Sequence, residues 1–125
     1  MCVETTPTFS VIDLPQAARE FAAEVAGCSE RKKKAIPSPP GLQMFLLYVR
    51  AKGSVPSHQV TGAITVQTVL GHVTLTVEDR SYEMAEGRVL PIGAGAPHAV
   101  FAGQESVLLV THALQSKPEA SNGRP

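Results

Sequence analysis

Tryptophan is absent and aromatic residues make up only 5% of the chain, so any core has to be built mainly from aliphatic side chains. Cysteine is scarce. Cys2 and Cys28 stand alone, in no metal-binding or redox spacing, which excludes a zinc ribbon or a Cys-x-x-Cys redox centre. The opening residues show no basic segment followed by an apolar stretch, so the expectation is a cytoplasmic protein with two free thiols. Neither sign of charge dominates: 11 Lys and Arg balance 11 Asp and Glu. A nucleic-acid binder would carry a basic excess, so that class of partner is not expected. Charged residues reach 18%, against about 25% in an average domain. The surface is therefore expected to be neutral or partly covered by a second copy, as a homodimer. The longest apolar run, Met44 to Val49, has six residues, where about 20 are needed to span a bilayer. No membrane span is expected. No nucleophile–base pair, phosphate-cradling glycine loop or paired carboxylates stand out either.

Glycine and proline are plentiful, ten of each in 125 residues, which suits a single domain of many short elements and turns. Residues 1–12 read as a loose leader, or as an edge strand around Phe9–Ile12. A helix is predicted at about 14–26, because Leu14, Ala17, Ala18, Phe21, Ala22 and Val25 form one apolar stripe. Asp13 suits its N-cap, Pro15 its first turn and Gly27 its C-terminal stop. Arg31-Lys32-Lys33-Lys34 reads either as an anion patch or as a solvated strand or loop, and the solvated reading is the commoner one. Pro37-Ser38-Pro39-Pro40-Gly41 is a rigid turn.

From residue 42 onward the pattern is β throughout. Strands are predicted at 42–51, 54–59, 63–70, 72–78, 81–85, 88–92, 97–102 and 105–112, punctuated by Lys52-Gly53, Thr61-Gly62, Gly71 and Ala102-Gly103. Such spacing indicates a sandwich or closed barrel. In 72–78, alternation sets Val73, Leu75 and Val77 inward and His72 to the polar face. Met44, Phe45, Leu47, Val49 and Phe101 are expected in the core. His112 cannot be assigned a face, because Leu108 and Val110 are as apolar as Val107 and Leu109. The division is 1–30 leader and helix, 31–114 barrel and 115–125 disordered tail.

Two segments carry a family resemblance. Gly53 to Gly71 resembles the first motif of the cupin superfamily, a glycine followed by His-x-His, three residues, Glu, six residues and Gly. Here His58 holds the first His position and Gly71 the closing glycine. "GRVLPIGAGAPH", Gly87 through His98, resembles the second motif, with Gly87, Gly95 and His98 in register and Gly93 in place of the usual proline. The resemblance spans roughly 42–112, and "ITVQTVLG" looks like a sub-group of small cupins. It implies an all-β antiparallel jelly-roll barrel with one short N-terminal helix, a homodimeric assembly and a pocket at one barrel mouth.

Two departures shape the functional expectation. Val60 stands where the family usually has its second His, and Ile64 where it has Glu. Both are apolar and offer no lone pairs, so they line the pocket with hydrocarbon. A catalytic transition metal needs about three protein ligands and an open position. His112 is the one further histidine with a plausible location for a third. The residues leave three readings open: a binding protein for a small apolar molecule anchored by His58 and His98, a metal-dependent dioxygenase or isomerase using His58, His98 and a third group, and a metal-free isomerase with a histidine base. The first is the leading expectation, with His58, Val60, Ile64, His98 and Val100 as the pocket. No cofactor is expected beyond a weakly bound divalent ion (Zn, Ni, Mn or Fe) on His58 and His98.

Overall fold

The computed structural model describes residues 10–114. Cys2, Phe9 and the tail expected at 115–125 lie outside the described residues. Chain order is α1 (Leu14–Val25), β1 (Arg31–Ile36), β2 (Leu42–Val49), β3 (Ser54–His58), β4 (Ile64–Leu70), β5 (His72–Val77), β6 (Arg80–Ala85), β7 (Val89–Ile92), β8 (His98–Ala102) and β9 (Ser106–Ala113). All pairings are antiparallel, in a five-stranded sheet of order β1-β2-β9-β4-β7 and a four-stranded sheet of order β3-β8-β5-β6. The two sheets enclose one core, in the all-β jelly-roll arrangement that the sequence implies.

Local chemistry starts the helix as expected. The Asp13 side chain accepts from Gln16 N at 3.2 Å, and Pro15 sits in the first turn, where its missing N–H costs no bond. The stripe Ala18, Phe21, Ala22 and Val25 is buried against Ile36, Leu46, Tyr48, Val107 and Leu109. Phe21 meets Tyr48 edge-on, with centroids 6.5 Å apart. The helix therefore covers the outer face of the five-stranded sheet, while Leu47, Val49, Leu108 and Val110 fill the space between the sheets.

This double covering explains why β2 and β9 show no alternation in sequence. Strands buried on both faces read as continuous apolar runs. It also settles His112: on β9 it shares the parity of Leu108 and Val110 and lies on the inner side, in the same cavity lining.

Polar groups in the core are satisfied across the sheets. Thr68 Oγ1 donates to Met84 O at 3.0 Å, and Ser106 Oγ accepts from His72 N at 3.1 Å while donating to Gln104 O at 2.7 Å. Gly71 makes the turn from β4 into β5 with φ +87°, and a Cβ there would run into Glu105 O and Ser106 Oγ.

The structure decides one alternative, between a loose segment and an edge strand before the helix, and corrects two expectations. Ser10–Ile12 forms no strand, and Val11 is fully exposed. Phe101 is 45% exposed instead of core, because Val100 and Ala102 take the inward positions of β8 and leave it outward. Arg50 and Ala51 lie outside β2, in a turn where Gly53 N donates to Arg50 O at 2.8 Å.

Candidate functional site

Between the sheets lies a cavity of about 630 Å³, within the usual range of ligand sites, about 300–1,000 Å³. Its walls are hydrocarbon: Val55, Val60, Ile64, Val66, Val100, Leu108 and Val110, with Phe45 and Leu47 from β2. Every pocket residue read from the sequence (His58, Val60, Ile64, His98 and Val100) contributes to this one lining.

His58 ends β3 and His98 begins β8, and the two are direct partners across the antiparallel pair. A β-bulge between Val55 and His58 makes this work. Three positions apart on a regular strand, Val55 and His58 would face opposite ways. The extra residue restores both to the cavity side. Pro56 sits within the bulge, on an edge strand where a missing ladder donor is tolerated.

The two imidazoles are 4.3 Å apart between centroids, with planes at 61°. Each is fixed by the same local bond: His58 Nδ1 lies 3.0 Å from Pro56 O, and His98 Nδ1 3.0 Å from Ala96 O. A carbonyl only accepts, so Nδ1 carries the hydrogen in both rings and Nε2 keeps its lone pair. His112 is set the other way, its Nε2 donating to Thr61 O at 2.6 Å. His98 is buried while His58 is exposed. Burial, the main cause, pushes the His98 pKa below the ordinary 6.5; the neighbouring His58 lowers it further, and the bond to Ala96 opposes.

The loop carrying Val60 is stitched to the turn before β8. Gly95 N donates to Val60 O at 3.0 Å, and Gln59 Nε2 donates to Gly95 O at 2.7 Å. Val60 is thereby held beside His58.

Sequence reasoning missed one part of the lining. Arg31, Lys32 and Lys33 all border the cavity, as does Gln43. The signal was the basic run itself, whose strand and register only the paired sheet reveals.

No protein-family model matches the sequence, and no curated protein sequence matches it. Solved structures do. The SPY1581 protein of unknown function from Streptococcus pyogenes superposes with a TM-score of 0.70 at 19% identity, over 92% of this chain and 93% of that one. A cupin superfamily protein from Desulfitobacterium hafniense gives 0.66 at 18% identity, over 74% and 87%. The chain has the cupin fold. A salicylate 1,2-dioxygenase from Pseudaminobacter salicylatoxidans also aligns, with a TM-score of 0.67 at 11% identity, over 81% of this chain and 33% of the enzyme.

The cupin fold raises the question of a metal, and the donor set answers it. His58 and His98 offer two Nε2 lone pairs, while Val60 and Ile64 add none. Among the described residues no group of three His, Cys, Asp or Glu is placed to hold an ion. His112 shares the cavity but turns its Nε2 to Thr61. Two imidazoles do not make the three-ligand site that a catalytic ion requires.

Proposed function

We propose that this cupin-fold chain binds a small, largely apolar organic molecule between its sheets, with His58 and His98 as polar anchors. The observation that carries the reading is the composition of the cavity: a wall built mainly of aliphatic side chains, with the His58 and His98 rings side by side in it. Ligand sites are commonly built this way, with apolar area holding the ligand and a few polar groups fixing its orientation.

The test is titration with Nile red, a neutral apolar dye. Saturable fluorescence enhancement is expected in the parent protein. It should be lost in Val60→Trp, which fills the cavity from a loop that is only half-buried. Absence of saturable binding in the parent overturns the reading.

A second reading is a metal-dependent enzyme of the dioxygenase or isomerase type. Its support is the likeness to the salicylate 1,2-dioxygenase. The donor set weighs against it, and the metal titration described below separates the two.

A further inference from the structure

Resting on the reading of the cavity as a binding site, we propose that its ligand is an amphipathic anion: an apolar body held between the sheets and a carboxylate head held by Arg31 and Lys33. Register fixes the faces of β1. Arg31 pairs with Val49, Lys33 with Leu47 and Ala35 with Phe45. Cross-strand partners share a face, and Leu47 and Val49 belong to the core between the sheets. Arg31 and Lys33 therefore lie on the cavity side. Lys34 and Ile36 lie on the other: Lys34 Nζ is 3.6 Å from Glu24 and 5.8 Å from the Phe21 ring, and Ile36 packs under the helix.

Both inner cations are held against the cavity. Arg31 Nη1 donates to Ser54 O at 3.1 Å, so its guanidinium spans from β1 to β3, the edge strands of the two sheets. Lys33 Nζ sits 4.9 Å from the centroid of Phe45, itself part of the wall. Neither has a carboxylate within 4 Å among the described residues, whereas Lys34 has Glu24. Glu30 directs its carboxylate to Ser54 N at 2.9 Å.

The sign of the site is uniform. Among the described residues, Arg31, Lys32, Lys33, His58, His98 and His112 are its ionisable groups, and no Asp or Glu borders it. The whole chain has zero net charge, so this is a local segregation of charge and not a general excess. Cations without a carboxylate partner among the described residues, beside a hydrocarbon wall, favour an anion that extends into apolar space.

The experiment compares 2-naphthoate, 2-naphthamide and 2-naphthylmethylamine by calorimetry, which keeps the apolar body constant and changes only the head. Naphthoate is expected to bind at least about tenfold more tightly than the amide, the scale of one charge-assisted contact, and the amine more weakly than either. Arg31→Gln with Lys33→Gln should abolish that gap. Arg19→Gln with Lys34→Gln, an equal loss of charge away from the cavity, should preserve it. Equal binding of acid and amide, or a gap that survives in the Arg31/Lys33 variant, overturns the anion assignment and leaves the binding reading standing. Failure of all three compounds, together with failure of Nile red, overturns both.

Discussion

His58 and His98 face each other across two antiparallel strands with their ring centroids 4.3 Å apart, each anchored through Nδ1 to the carbonyl two residues before it. The repeated anchor occupies Nδ1 of both rings and leaves an Nε2 lone pair on each neutral imidazole. Such a lone pair can accept a hydrogen bond only from a donor group, or ligate an ion.

Metal affinity tests that donor set. After chelator treatment, titration with Zn, Ni, Mn and Fe(II) should give weak, substoichiometric binding, diminished in His58→Ala and His98→Ala and falling with acidity, because protonated imidazole does not ligate. Val60→His with Ile64→Glu restores four donors on the cavity wall and should create tight binding absent from the parent. Tight stoichiometric binding by the parent, abolished by both single substitutions, would raise the enzymatic reading above the binding one.

Stability should depend on pH through His98. Its folded-state pKa lies below 6.5 chiefly because burial disfavours the charged ring. The unfolded chain therefore takes up the proton first, and folding stability falls as pH drops from 6.5 toward the folded value. The neighbouring His58 adds to this effect, and the bond to Ala96 O opposes it. Denaturant midpoints should decline over that window in the parent and decline less in His98→Gln; identical slopes would contradict it.

The helix is held largely by Phe21, 2% exposed and edge-on to Tyr48. Phe21→Ala should cost about 3–5 kcal/mol in urea unfolding, the usual range for a buried aromatic ring. A loss under about 1 kcal/mol would mean that helix packing contributes little to the fold.

Assembly is the fourth test. We propose a homodimer formed through residues 31–50, where β1 is an edge of its sheet among the described residues. Four consecutive cations on that edge repel their copies in another subunit, so the dimer fraction seen by light scattering at micromolar concentration should rise with salt. A monomer at every ionic strength removes the dimer.

Sequence alone determined what depends on short range. The helix follows from a stripe repeating every three to four residues, and the turns follow from glycines and prolines that restrict or release φ. His58, Val60, Ile64 and His98 could be placed through the resemblance to the cupin motifs, and they share one lining with Val100. Tertiary structure decided whatever depends on a strand's partner. His112 acquired a face only once Leu108 and Val110, of the same parity, lay in the core between the sheets, because covering both sides of β9 erases alternation from its sequence. His58 reached the cavity through a bulge that two-residue counting does not see. Phe101 turned outward because its neighbours on β8 took the interior. Arg31 and Lys33 separated from Lys34 when β1 paired with β2, since register between strands is set by long-range packing that no local run of residues encodes.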